Sequence, residues 1–462
     1  MNGIASRLRS SFHQERLWFI DKFETANVYP AQPIYHNLQL LLCLEGAIDR
    51  TTLEHSLNAV VRRHGALRTT IRTEEETPYQ WIRKEVHVPL CVEERPRERF
   101  DRRDRAQVDA ILRHGLDPMP LDGGALLAAR LFAFSNQVSV LLLTFHHAVA
   151  DRRSVDIVAA ELLTAYEYLQ HGAEPAGDEP DLQYCDFSEW QRSLTPDDWE
   201  PHLFYWRRQL AGRLEVLDLP ADRPREAIHV FAPGQIVFPV SARLFEDAGH
   251  LAGALGLRTQ EVFFGAWILL LQRHSSLTEI NVGVTMPNRK HAGTGRLVGP
   301  VANLVTIRAL VDDTRSREEF FAEIKRLLAD AEAFQDLPFE PLVLELAPEP
   351  DMSRTALFDV LFTYEQATDL PAVAGLVVSK VENNLGLGKY DLNLLVKEEG
   401  GAATGYLVYN TLLYRDETVE RLVRHYANVL RSLVRALSGV PLPGELLDQD
   451  EMSLVRDRWN AT

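Results

Sequence analysis

The chain has 462 residues, enough for two or three lobes with separate cores, and a formal net charge of −17. This acidic balance argues against nucleic acid as a partner, and the longest apolar run, 262–271, is too short to span a bilayer. Three widely spaced cysteines and a polar N-terminus predict neither a disulfide framework, a structural zinc site nor a signal peptide, so we expect a protein of the reducing cytoplasm.

The first half of the chain alternates predicted strands and helices up to a linker. Apolar patterning predicts strands at 34–44, 69–71, 80–82, 126–134 and 138–145. Helices are expected after Thr51 or Thr52, and from a cap at Ser154 to Gly172. The segment 171–181 is rich in glycine, proline and acidic residues and predicts a linker.

The second half repeats the same alternation. It predicts strands at 235–240, 279–286, 357–364 and 405–411, and helices at 244–255, 260–274, 317–334 and 417–437. We therefore predict an α/β protein with an N-terminal lobe of residues 1–175, a C-terminal lobe of residues 176–450 and a stub at 451–462. A junction between two lobes is a common place for a substrate site.

Two histidines at the end of an apolar strand are the strongest chemical signal in the chain. His146 and His147 follow the strand, and Asp151 comes four residues after the second histidine. Imidazole titrates near neutrality and can take a proton from an attacking amine or alcohol. Adjacent strand residues point to opposite faces, so we expect His147 to face the reaction and His146 to pack. No third ligand stands at a familiar spacing, so no metal site is predicted.

Asp151 is expected to be structural. A buried carboxylate without a cationic partner is costly, so it should pair with an arginine and lock the loop. Arg289 is the first candidate and Arg68 the second. Orientation of His147 by Asp151, as in a catalytic triad, is the alternative. The sequence has no serine-nucleophile elbow, P-loop or dinucleotide fingerprint, so it calls for no nucleotide or prosthetic group.

These segments, taken in order along the chain, resemble the motifs of the condensation domain of nonribosomal peptide synthetases. The resemblance covers essentially the whole length. The matching segments are SFHQERLW (11–18), RHGALRT (63–69), HHAVADR (146–152), YCDFSEW (184–190), VGPVANL (298–304), FQDLPFE (334–340) and DMSR (351–354).

The resemblance implies a chloramphenicol acetyltransferase-like fold, with two lobes in a V-shape and the active site in a tunnel between them. It implies an acyltransferase that forms an amide bond between a donor acyl or peptidyl thioester and an aminoacyl acceptor. Both substrates arrive on the phosphopantetheine arms of upstream and downstream carrier proteins, and the domain itself binds no cofactor. His147 would be catalytic. The expected tunnel residues are Arg152, Asn303, Gln335 and Tyr364.

The resemblance also implies an adjacent adenylation domain, and the excised domain is expected to be a monomer. Arg152 stands where the family has glycine; it could narrow the channel, act as a gate or point to solvent. The segments 12–14 and 35–38 hint at a starter-type domain with a fatty acyl or polyketide donor, as in lipopeptide antibiotic biosynthesis. The alternatives are a non-catalytic docking domain and an epimerisation or ester-forming relative.

Overall fold

The computed structural model describes residues 4–27, 37–135, 137–174, 180–212, 214–347, 349, 351–381, 390–436, 439–442, 446–447 and 451–453. Within this part of the chain the helices are α1 (Phe12–Asn27), α2 (Arg50–Arg63), α3 (Arg105–Leu112), α4 (Arg152–Gln170), α5 (Tyr184–Ser193), α6 (Pro196–Gln209), α7 (Ala242–Leu255), α8 (Thr259–Ser275), α9 (Arg317–Ala333), α10 (Phe339–Leu346) and α11 (Asp416–Arg435). The strands are β1 (Ile4–Arg9), β2 (Asn37–Glu45), β3 (Thr69–Glu74), β4 (Thr77–Arg83), β5 (Leu90–Arg95), β6 (Leu127–Phe134), β7 (Val138–His146), β8 (Pro233–Val240), β9 (Glu279–Met286), β10 (Asn303–Leu310), β11 (Val360–Gln366), β12 (Val377–Lys380), β13 (Leu392–Glu399) and β14 (Ala402–Asn410).

The chain forms two compact units, and neither is a single continuous segment. Unit 1 comprises Met1–Asp198, Pro287–Ala302 and Thr368–Leu387, and unit 2 comprises Trp199–Met286, Asn303–Ala367 and Gly388–Thr462. These units differ from the continuous lobes expected at 1–175 and 176–450. One physical reason is that β12, late in the sequence, pairs antiparallel with β2 of unit 1. Sequence periodicity identifies strands but not their distant partners.

Unit 1 is built on a five-stranded sheet, ordered β12-β2-β7-β6-β5, and a smaller sheet, β1-β4-β3. Both faces of the larger sheet are buried. Leu141 and Leu143 of β7 join the core on one face, and Val140 and Leu142 join a second cluster on the other. Burial on both faces explains why β7 is a continuous apolar run, and it fixes the strand that delivers the two histidines.

Unit 2 is built on a six-stranded sheet, ordered β10-β9-β11-β13-β14-β8. Strand β11 runs parallel to both β9 and β13, whereas the other neighbours in this sheet are antiparallel. Helix α8 is apolar around its circumference and buried along most of its length, as the sequence predicts.

Among the described residues, no single helix is long and apolar enough to cross a membrane. Helices α7 and α8 pass such a test only as a pair, and they are bent by 104°.

Candidate active site at the end of strand β7

The loop after β7 places the two histidines and the aspartate. The strand ends at His146, a turn carries His147, and α4 begins at Arg152 with Asp151 as its N-cap. A short carboxylate at the N-cap can accept a backbone N–H of the first helical turn. Asp151 does so from Ser154, at 2.8 Å. The helix predicted to begin with a cap at Ser154 therefore begins earlier, and Asp151 is the residue that caps it.

His146 is a buried structural histidine. Its Nδ1 accepts the backbone N–H of Ala148 at 3.0 Å, which assigns the proton of the neutral ring to Nε2. Burial lowers the pKa of His146 to about 3, and the neighbouring His147 adds to this effect. His146 is therefore neutral at physiological pH and holds the turn closed, as expected for the packing member of the pair.

His147 follows the strand and keeps part of its surface accessible to solvent. Its Nδ1 is buried and makes no hydrogen bond to any residue that the structure describes. Burial lowers the pKa of His147; its own backbone carbonyl and the charge of Asp151 partly offset this, and Arg16 adds to the lowering. The ring is therefore in its neutral form, which can accept a proton.

Asp151 is fully engaged in hydrogen bonds within unit 1. Its Oδ1 accepts from the backbone and hydroxyl of Ser154, at 2.8 and 2.6 Å, and from Arg289 at 2.8 Å. Its Oδ2 accepts from Arg289 at 2.8 Å and from the backbone of Val301 and Ala302, at 3.1 and 3.0 Å. These donors leave the carboxylate positioned to lock the loop rather than to orient His147.

The ion pair between Asp151 and Arg289 has the buried geometry that was expected. Burial alone would raise the pKa of Asp151, but Arg289, the side chain and backbone of Ser154 and the backbone of Ala302 outweigh it and lower the pKa. Arg289 is itself held by the carbonyls of Thr294 and Leu297, at 2.8 and 2.6 Å. Nε of Arg289 is the exception, since it is buried and has no hydrogen-bond partner among the described residues. The carboxylate and the two other guanidinium nitrogens take part in the contacts that compensate the burial of the two charges.

The second candidate partner, Arg68, is not placed at Asp151. Its guanidinium donates to the carbonyls of Val61, Arg83 and Lys84, and so joins the end of α2 to the end of β4. These backbone acceptors engage the guanidinium away from Asp151. The second-choice prediction, that Asp151 pairs with Arg68, is therefore wrong.

The segment 298–302 supplies backbone groups that the sequence reasoning missed. The hydroxyl oxygen of Ser154, whose proton goes to Asp151, accepts the N–H of Gly299 at 3.0 Å and lies 2.8 Å from its carbonyl oxygen. Gly299 has a φ of +155°, and a Cβ there would collide with the ring of Tyr184. This glycine is therefore required for the close approach. The resemblance of residues 298–304 to a family motif pointed to this segment. Its role as a backbone N–H donor could not be predicted, because backbone donors do not depend on which side chains the sequence contains.

The other expected tunnel residues lie in defined places within their own units. Arg152 is the half-buried first residue of α4 in unit 1. In unit 2, the amide of Asn303 donates to the carbonyls of Gln335 and Leu337, at 2.8 and 2.7 Å, and so fixes that segment. The Tyr364 hydroxyl donates to Glu398 at 2.8 Å. The assignment of these residues to a tunnel stays a prediction.

No group of three histidine, cysteine, aspartate or glutamate side chains in the described part of the chain could hold a metal ion. The cysteines Cys43, Cys91 and Cys185 are free.

The two α/β units, one of which carries a histidine pair at the end of a buried strand, have the chloramphenicol acetyltransferase-like fold that was expected. The profile of the Condensation domain family matches residues 6–452. The chain belongs to this family.

The chain is similar to the chondramide synthase cmdD of Chondromyces crocatus. The two are 31% identical over 97% of this chain, which corresponds to 11% of the relative. The chain therefore spans about a tenth of the length of this curated relative.

Solved structures share the fold. The condensation domain of the monacolin K polyketide synthase MokA has a TM-score of 0.83 and 16% identity, and the match covers 96% of this chain and 100% of that one. The X-domain from teicoplanin biosynthesis has a TM-score of 0.81 and 24% identity, and covers 96% of this chain and 98% of that one.

Proposed function

We propose that this chain forms an amide bond between a carrier-bound acyl or peptidyl thioester and a carrier-bound aminoacyl acceptor, with His147 as the catalytic residue. The observation that carries the proposal is the placement of His147: a partly accessible imidazole on a turn fixed by His146 and by the ion pair of Asp151. Burial lowers the pKa of His147, which favours the neutral ring. Membership of the condensation domain family supports the same reaction class.

The chemistry asks for one well-placed base. The acceptor amine must lose a proton as its nitrogen attacks the thioester carbonyl. The carbon–sulfur bond then breaks, and the proton is returned to the leaving thiolate. A neutral imidazole can accept and return that proton, whereas an imidazolium could not. Because a thioester is already activated, alignment of the two substrates contributes much of the rate.

The substrates and partners follow from this reaction. The two carrier proteins present their cargo on phosphopantetheine arms, an adenylation domain loads the acceptor carrier, and the domain holds no cofactor of its own. The reaction belongs in the cytoplasm. We further propose a starter-type donor, a fatty acyl or polyketide group, on the sequence variants at 12–14 and 35–38. Of the latter segment, residues 35 and 36 lie outside the described residues.

The experiment supplies the chain with an aminoacyl-loaded carrier and with carriers loaded with fatty acyl, polyketide or aminoacyl donors. Intact-mass spectrometry of the acceptor carrier reports transfer as a gain of the donor mass. We expect transfer with wild type and its loss in His147→Ala. Equal transfer by the two proteins would contradict the proposal.

A docking domain without catalysis is the second candidate, because the X-domain, which shares this fold, is also solved in complex with OxyB. The same assay distinguishes the two. A docking domain would leave every acceptor carrier unmodified, yet would bind a partner enzyme equally well with and without His147.

A further inference from the structure

A third imidazole lies beside the proposed catalytic histidine. His13, the second residue of α1, has its ring centroid 5.1 Å from that of His147, and the two ring planes are tilted by 42°. This distance is within the range of direct packing between aromatic rings. The sequence reasoning noted His13 only as part of a motif variant and gave it no role.

A histidine that acts as a base needs its ring held in a fixed orientation. In a catalytic triad a carboxylate does this by accepting the proton of Nδ1. Here Nδ1 of His147 makes no hydrogen bond within the described residues, and the carboxylate of Asp151 is occupied by Arg289, Ser154 and backbone donors. Asp151 therefore does not orient His147 as in a triad, and the packing of its ring is a contact that can contribute to the orientation.

The start of α1 is firmly attached to the turn that carries His147. The side-chain amide of Gln14 donates to the carbonyl of Ala148 at 2.9 Å. Leu17, one turn further along α1, packs in a cluster with Ala148 and Val149. These contacts flank His13 and fix the backbone from which its ring projects.

A second set of contacts anchors α1 from the other side. Tyr184 of α5 donates to the hydroxyl of Ser11 at 2.7 Å. Arg192, also in α5, donates to the carbonyl of Ser10 at 2.9 Å and pairs with Glu15. The start of α1, from which the ring of His13 projects, is thus held both by the turn after β7 and by α5.

We propose that His13 is a positioning residue whose ring, packed against His147, holds the catalytic imidazole in its reactive orientation. This rests on the proposed function of His147. It replaces the carboxylate–histidine hydrogen bond of a triad by contact between two rings, and it makes α1 part of the active site.

The test compares His13→Ala, which removes the ring, with His13→Phe, which keeps a ring without its nitrogens. His87→Ala is the matched control, because His87 is an exposed histidine of the same unit paired with Glu54. Two quantities are measured on each folded variant: the steady-state constants for amide formation, and the NMR relaxation of the isotope-labelled His147 ring, assigned by its loss in His147→Ala.

We expect His13→Ala to lower kcat about tenfold or more, with KM for both carrier-bound substrates within about twofold, since small misplacements of a reacting group cost that much. The His147 ring should become more mobile. His13→Phe should recover most of the rate and the rigidity, and His87→Ala should match wild type.

Several outcomes would overturn the inference: a rate loss without added ring motion, ring motion without a rate loss, no change in either, or a His13→Phe variant as impaired as His13→Ala. If wild type forms no amide at all, the proposed function fails first. The relaxation measurement still decides whether the ring of His13 fixes His147.

Discussion

The two units contain the same local arrangement, and only one of them carries the histidines. In unit 1, the hairpin β6–β7 is followed by α4, and β2 lies on the other side of β7. In unit 2, the hairpin β13–β14 is followed by α11, and β8 lies on the other side of β14. In each unit the N-cap of the helix comes five residues after the last strand residue: Asp151 after His146, and Arg415 after Asn410.

The residues at matching positions separate structural from chemical roles. His146 accepts the N–H of Ala148 through Nδ1, and Asn410 accepts the N–H of Leu412 through Oδ1, at 3.2 Å. Closing the turn is therefore a task of the fold, and an amide performs it as well as an imidazole. The next position is His147 in unit 1 and Thr411 in unit 2. The comparison supports the proposal that the chemistry lies at His147 and not at its neighbour.

The largest expected effect comes from replacing His147, with Thr411 as the matching position in unit 2. His147→Ala should lower the rate of amide formation by about 10²–10⁴-fold, the usual contribution of a general base, with little change in the melting temperature. Thr411→Ala is the matched control and should retain activity. If activity is lost only on mutation of His146, the proposal names the wrong imidazole as catalytic. Full activity of His147→Ala would leave substrate alignment as the whole mechanism.

The second effect concerns the two N-caps. Breaking the buried pair by Asp151→Asn or Arg289→Gln should cost about 3–5 kcal/mol of unfolding free energy, since one charge stays buried without its partner. Arg415→Ala should cost little, because Arg415 is exposed and its side chain caps nothing.

Denaturant unfolding of Asp151→Asn, Arg289→Gln and the double variant measures the loss of unfolding free energy. The double variant should cost little more than either single one. Additive losses, or a structure with Asp151 bonded to the ring of His147, would contradict the locking role.

The sequence predicts the scaffold better than it predicts the site. Strand β9 coincides with the predicted 279–286, because the run is short and rich in β-branched residues, which favours a strand over a buried helix. Strand β12 was not predicted, because it is short and its partner β2 is far away in sequence. The Asp151–Arg289 pair could be inferred from the cost of burying a charge. The contact of His13 with His147 could not, because only the packing of α1 brings the two rings together.

The third effect is the pH dependence of stability that His146 causes, and the variant that tests it places the asparagine of unit 2 at this position. The depressed pKa of His146 means that the unfolded chain binds a proton that the folded chain does not, at any pH between about 6.5 and 3. Stability from this residue is therefore present above pH 6.5 and is lost as the pH falls toward 3. His146→Asn should keep the turn, as Asn410 does, and remove this dependence.

Urea unfolding at pH 7 and pH 5 measures the third effect. Between pH 7 and pH 5, the unfolding free energy of wild type should fall by about 2 kcal/mol more than that of His146→Asn. This is the value for the uptake of one proton by the unfolded chain between pH 6.5 and pH 5. The reverse swap, Asn410→His, should destabilise at both pH values. Asn410 also donates to the carbonyl of Val230 at 2.8 Å and accepts from Ala232 at 3.1 Å, and one imidazole cannot meet all these demands. Identical losses in wild type and His146→Asn would show that His146 is not the titrating group.

The smallest effect concerns the first helical residues, Arg152 in α4 and Asp416 in α11. A carboxylate is favourable at a helix N-terminus and a cation unfavourable, by about 0.3–1 kcal/mol each. Arg152 thus occupies a position where the helix would prefer the opposite charge. This suggests a role outside folding, and we expect Arg152 to modulate the access of one substrate.

Replacement of Arg152 by Ala or Gly should therefore leave the melting temperature unchanged or raise it. The Ala variant is included because glycine also makes the backbone more flexible, which would lower stability by itself. For one of the two carrier-bound substrates, the rate or apparent affinity should change by more than twofold. Asp416→Ala, the control in unit 2, should do the opposite: it should lower stability, since it removes both a favourable charge and the acceptor of the Tyr409 hydroxyl, and should leave the kinetics unchanged. If both Arg152 variants stay within twofold for both substrates, about 0.4 kcal/mol, then Arg152 is no gate. In that case the arginine is tolerated at the helix start for a reason unrelated to the reaction.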